Sequence, residues 1–426
     1  MIPINSFLIV YLAIYFVSSA AELIVEVVNG KNLKKYEKQV PEPFHGIIDQ
    51  EELGKINRYT IDKTNFALIG TIVSKVVFLI IILSGLLPWL VEILKDVPFV
   101  LAGLIFFAIP GLLEALVDLP FDYYHIFRIE ERYGFNTGTL KIWISDLFKS
   151  LLLTIILGTI LISLLMLMVK YAGDIWWIWA WLIFFSFQIL MSILYPTLIS
   201  PIFNKFTPVD KTELAEKIRS LAEKENLTIK GVFQMDATKR SRHTNAYLSG
   251  LGKAKRIVLF DTLIESHEDD EILAVLAHEI GHLKRNHIKK MLIMVGIASF
   301  ILFYLASEMI TWDIMYKSFA FSSMTLYAGL FLVSVLWEPL GFFLSPISMA
   351  ISRRFEREAD RHVSGTLKSS APLISALKKM ARDNLSNLRP HPLYVWLNYS
   401  HPPLLERIKN LEKMTRQQDH VILTNN

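Results

Sequence analysis

The residues with the most chemical promise lie in one short run. His278-Glu279-Ile280-Gly281-His282 has the HExxH pattern. Two histidines four apart share one helix face, so both imidazoles can reach a single zinc ion. Glu279 can touch a water held by that metal, act as general base and pass the proton to the leaving amine. Just upstream, Asp269, Asp270 and Glu271 suit a helix N-terminus. Cysteine is absent, which excludes a disulfide framework, a zinc–thiolate site and a cysteine nucleophile. Any metal must be held by His, Asp or Glu.

A catalytic zinc needs a third protein ligand and one open position. The stretch SRRFEREADRH (352–362) offers Glu356, Glu358, Asp360 and His362. Glu356 and Asp360 are four apart, so Glu356 can bind zinc while Asp360 hydrogen-bonds the far nitrogen of a zinc-bound histidine. Glu358 would point about 160° away on a helix, so Glu356 is the expected third ligand. The alternative is a solvated, salt-bridged helix face. His401, in Ser400-His401-Pro402-Pro403, sits on a stiff turn. It can donate a hydrogen bond to a tetrahedral oxyanion, or serve only as a structural cap. Asn245 precedes the strand-like run Arg256 to Phe260. It is expected either to clamp a peptide added to a sheet edge or to be a turn residue satisfied by its own backbone. Arg407 is assigned with it to substrate binding.

These groups need a scaffold, and composition says which kind. The chain has 426 residues, 53% hydrophobic and only 20% charged, with a mean hydropathy of +0.40. Soluble domains carry about 25% charged residues, and here the apolar excess is concentrated in long uncharged runs. That excludes a purely soluble enzyme, a disordered chain and a fibrous repeat. A net charge of +4 is too weak to argue for nucleic acid. A spanning helix needs about 20 apolar residues, and seven runs qualify, near 5–28, 66–93, 98–119, 149–170, 175–199, 290–311 and 320–345. The first lacks the basic start of a cleavable signal and reads as an uncleaved anchor. The loop 29–65 holds seven basic residues, and the loops 120–148, 200–289 and 351–426 are also basic, whereas 94–97, 171–174 and 312–319 are short. The positive-inside rule then puts the N-terminus outside and every large polar loop, with the protease residues, in the cytoplasm.

Ionisable residues lie within these runs: Glu22, Glu26, Lys75, Glu114, Asp118 and Glu338. Charge at membrane depth faces a bundle interior or a watery cavity, or reaches the interface near a span end. At least two of Lys75, Glu114 and Glu338 are expected to face an enclosed aqueous space.

Four stretches, HEIGHLKRNH, SRRFEREAD, HTNAYLSGLGKAKRIVLFDTLI (243–264) and YSHPPLLERI, occur in an order that resembles the type I CAAX prenyl proteases. These are integral-membrane zinc metalloproteases of the gluzincin kind. The likeness extends to RIEERYGFNT (128–137) and FNKFTP (203–208). It implies a mainly α fold of seven membrane helices around a water-filled chamber, closed at its cytoplasmic end by a gluzincin-like zinc protease domain with a small β-sheet. It implies one zinc ion on His278, His282 and Glu356, with Glu279 as base. Its eukaryotic members cut after an isoprenylated cysteine, so the implied partners are a peptide or protein substrate that carries such a group and the surrounding lipid. Only six residues, Glu265 to Asp270, stand where some members carry a long acidic insertion, and the chain ends in LTNN without a di-lysine signal. Both points suit a compact, prokaryotic member. The expected site is the cell membrane for a prokaryotic source and the endoplasmic reticulum for a eukaryotic one.

The expected organisation is 1–199 with five spans, 200–289 with the HExxH helix, 290–345 with two spans, and 346–426 with the third ligand. Two rival readings are a membrane quality-control protease without prenyl substrates, and a transporter or channel in which HExxH is accidental.

Overall fold

A computed structural model describes residues 2–209, 212–227, 229, 231–249 and 255–424. Residues 250–254 of the HTNAYLSGLGKAKRIVLFDTLI stretch and the last two of LTNN lie outside the described residues. Seven helices are long and apolar enough to cross a membrane: Ser6–Lys35, Gln50–Leu83, Phe99–Tyr133, Leu140–Tyr171, Gly173–Phe203, His287–Met309 and Leu326–Leu367. They fall on the seven apolar runs, with different ends. The second begins well before its apolar run because Asp49 and Glu52 form a reciprocal cap over its first turn. It stops at Leu83, since Gly85 takes a left-handed φ of 84° and starts a separate short helix, Leu86–Ile93.

The seventh helix departs most from the expected span. It runs 42 residues through Pro339 and Pro346 without a break. At 1.5 Å per residue it is about 63 Å long, roughly twice the hydrocarbon thickness of a bilayer. It is therefore longer than a span requires, and its second half carries Glu356 and Asp360. Large apolar side chains such as Ile72, Ile80, Leu152 and Ile155 point outward from the bundle, as lipid-facing residues do.

Four short strands form one sheet: β1 (Phe206–Pro208), β2 (Val232–Met235), β3 (Ala246–Ser249) and β4 (Arg256–Phe260). The order is β1-β2-β4-β3, with β2 and β4 parallel and the outer pairs antiparallel. Ile257 and Leu259 of β4 are fully buried against Ile272, Leu276 and Ile280 of the HExxH helix and Val363 of the seventh. A second core fills the bundle around Tyr15, Phe106, Tyr316 and Leu332. A third ties Phe44, Ile56 and Phe135 to Leu385, Leu388 and Ile408, joining the long helices to the C-terminal part of the chain.

The bundle is not packed solid. A cavity of about 390 Å³ is lined by Tyr15, Glu22, Lys75, Glu114, Asp118 and Glu338. A second, of about 700 Å³, shares Asp118 and runs past Glu26 and Tyr59 to Asn384, Tyr394 and Tyr399. Lys75, Glu114 and Glu338 thus all line the first cavity. Lys75 lies 3.0 Å from Glu22 and 3.4 Å from Glu338, so charges from three spans meet there.

Candidate metal centre and active site

The HExxH helix, Asp269–Lys284, is capped by Glu268 and Glu271, which bond reciprocally across its first turn. Glu271 is held in turn by Ser375 at 2.6 Å and Lys379 at 2.8 Å. One face of the helix packs closely on the seventh helix at Gly281. A Cβ there would lie 3.0 Å from Ala359 Cα and 3.0 Å from His362 Cβ. Only glycine lets the two backbones approach this far, and the approach carries Glu356 across to the histidines.

Three side chains converge. Glu356 Oε2 is 3.2 Å from His278 Nε2, its Oε1 is 3.3 Å from His282 Nε2, and the two Nε2 atoms are 3.3 Å apart. The outer ring nitrogens are occupied. His278 Nδ1–H donates to Asp360 Oδ1 at 2.9 Å. His282 Nδ1 lies 3.0 Å from His287 Nδ1, and His287 Nε2–H donates to Glu358 at 3.2 Å. With Glu358 an acceptor, His287 Nδ1 accepts from His282. Both relays leave an Nε2 lone pair aimed at one point, with a carboxylate oxygen beside it. Buried Glu356 Oε2 finds no hydrogen-bond donor among the described residues. Buried polar atoms are seldom left so, and this donor set fits a metal ion of the zinc type.

The electrostatics agree. Burial opposes charge on His278, but Asp360 and Glu356 outweigh it and push the imidazole up to about 9. A metal must displace that proton, so metal affinity rises with pH. Glu279 is half-buried beside the pair and has no hydrogen-bond partner among the described residues. Burial lifts its carboxyl above the ordinary range, while His278 and His282 pull it back.

His401 also reaches the cluster. Its exposed ring has Nε2 3.3 Å from Glu356 Oε1 and Nδ1 2.9 Å from Ser400 Oγ. Asn245 is exposed, but its Oδ1 accepts from the Ala246 amide at 2.8 Å. That is the local bond of a turn residue. Arg407 lies away from the position expected of a substrate contact. It is buried, and its guanidinium grips Asp360 in a fork at 2.7 and 3.0 Å.

The roles of three further residues are not legible in the sequence. His287 was inside the quoted HEIGHLKRNH motif, yet Asn286, with φ 55°, ends the helix and turns the ring back toward His282. The Asn–His pair after HExxH was the only signal. Glu358 points away from Glu356 as its spacing requires, and so meets His287. Arg353, buried one turn before Glu356, donates to the carbonyls of Val395 at 2.9 Å and Tyr399 at 2.7 Å. A cation at the end of the Pro392–Asn398 helix satisfies its last carbonyls and fixes the turn that presents His401.

Residues 29–205 match the family model of the CAAX prenyl protease N-terminal part with five membrane helices, and residues 208–415 match peptidase family M48. The chain belongs to peptidase family M48. It is a multi-pass membrane metallopeptidase of the CAAX protease type. CAAX prenyl protease 1 homolog of Arabidopsis thaliana is 35% identical over 390 residues, 89% of this chain and 92% of that protein. CAAX prenyl protease 1 of Saccharomyces cerevisiae is 35% identical over 415 residues, 90% and 91% of the two chains. The crystal structure of S. mikatae Ste24p superposes with a TM-score of 0.87 at 32% identity, covering 96% of this chain and 99% of that one.

Proposed function

We propose that this protein is a zinc endopeptidase that processes C-terminal CAAX-type peptides carrying a prenyl or similar apolar group. The observation that carries this is the meeting of two Nε2 lone pairs and Glu356 beside Glu279, with Tyr399, two residues before His401, on the wall of a cavity that continues into the membrane bundle. His278, His282 and Glu356 would hold the ion. When bound, zinc supplies Lewis acidity that polarises a carbonyl and acidifies water.

The remaining steps belong to the chain's own groups. Glu279 takes the proton of the attacking water and delivers it to the departing amine; its raised pKa suits both halves of that task. His401 Nε2–H donates to the oxygen that gains charge. Asp360 and Arg407 hold the His278 ring, and His287 with Glu358 holds His282. Exposed Asn245 and the edge strand β3 receive the peptide backbone. The four-part division at 199, 289 and 345 is kept as a functional one, since the seventh helix runs through the last boundary. Basic loops support a protease part in the cytoplasm.

The test uses purified protein in detergent, a farnesylated CAAX peptide and its unprenylated twin. Cleavage after the cysteine, loss with chelator and recovery with zinc are expected, with faster turnover of the farnesylated form. Equal turnover of both forms would remove the prenyl part of the reading. No chelator effect would remove the metal part.

A further inference from the structure

The RIEERYGFNT stretch lies outside the metal centre, yet it makes a built connection to the sheet edge. Near its end the third span has a π-helical stretch, His125–Glu130, of which Glu130 is the last residue. Such wide turns recur at functional sites. One Glu130 oxygen accepts from Tyr59 OH at 2.6 Å; the other lies 3.1 Å from His243 Nε2. His243 stacks on Phe135 with ring centroids 4.0 Å apart. The backbones also pair: Arg242 N–H donates to Phe135 O at 3.0 Å, and Thr137 N–H to Arg240 O at 3.3 Å.

On its far side His243 Nδ1 is 3.2 Å from Asn384 Oδ1. The orientation of that amide is fixed by the backbone, because Thr244 N–H donates to the same oxygen at 3.0 Å while Asn384 Nδ2 faces Thr244 O at 3.3 Å. Both ring nitrogens of His243 therefore face acceptors. Asn245 and β3 follow directly. A membrane helix and the Ala371–Asp383 helix's C-cap thus clamp the two residues that lead into the exposed sheet edge.

We propose that Glu130 is a positioning residue for peptide docking, acting through His243 and Asn384 on Asn245 and the β3 edge. This rests on the reading that the β3 edge receives substrate. Loss of Glu130 should loosen the edge without disturbing the metal ligands, which sit on other helices. The effect belongs in KM, because an edge that holds substrate and transition state alike contributes uniform binding.

The experiment measures kcat, KM and zinc content with a fluorescent farnesylated CAAX peptide. Glu130→Ala should raise KM about tenfold with kcat and zinc nearly unchanged, and Glu130→Gln, which keeps an acceptor for His243, should recover most of the loss. His243→Phe keeps the stack on Phe135 but breaks both bonds, so it must raise KM similarly even if Glu130→Ala does not fold. If Glu130 acts through Asn245, then Glu130→Ala added to Asn245→Ala should cost less than about twofold more. Full multiplication of the two losses, a fall in zinc content, or an unchanged KM in His243→Phe would overturn the proposal. An unaffected Asn245→Ala enzyme would instead overturn the docking-edge reading beneath it.

Discussion

Two clusters of charged side chains occupy this molecule, and they are built in opposite ways. In the bundle, Lys75 bridges Glu22 and Glu338, whose side chains are 40% and 42% exposed to a cavity. At the metal centre the side chains of His278, Glu356, Asp360 and Arg407 are all below 10% exposed. Ionisable side chains thus serve as a solvated wall in one place and as a rigid ligand cage in the other. Solvation makes the first tolerant, because water can replace a lost partner. The second has no such reserve, since a buried charge left unpaired is costly.

The contrast can be broken first at its strongest point. Glu279→Gln should retain zinc and lose about 10²–10⁴-fold in turnover, the usual range for a general base. Turnover near wild type, measured with zinc stoichiometry, would show that the proton goes elsewhere. Next in size, Glu356→Ala should strip the metal, Glu358→Ala should leave it bound, and Asp360→Ala should weaken affinity about 10–100-fold. Competition with a chromogenic chelator ranks the three, and a stripped Glu358→Ala enzyme beside a metal-loaded Glu356→Ala would reverse the ligand assignment. The smallest effect belongs to the wet cluster. Lys75→Met should cost only about 0.5–1 kcal/mol in unfolding, against 3–5 kcal/mol for breaking a dry pair. A loss of the larger size would mean that the cavity wall is as rigid as the cage.

What was legible in the sequence was local. His278 with His282, and Glu356 with Asp360, are each four apart, and helical periodicity alone puts each pair on one face. Apolar runs located the hydrocarbon portion of every span for the same reason. They did not locate the helix ends, because the polar stretches at Gln50 and beyond Pro346 stay helical through caps and tertiary burial. Arg407 was misplaced because its partner Asp360 is distant in the chain. His287 was hidden by a single left-handed residue, Asn286, which no periodicity describes. Glu130 and Asn384 meet the two sides of the His243 ring, and nothing short of the fold brings those three together.

The seventh helix also sets a timetable for biogenesis. HExxH leaves the ribosome before two hydrophobic segments, and Glu356 emerges only after the second of them, on the same unbroken helix. A nascent chain therefore displays two histidines without their carboxylate until that last helix is threaded into the bilayer. At about 5–20 residues per second, translation leaves a lag of seconds between them. Hydrolytic competence becomes a late event of assembly, reached when the membrane part is already in place.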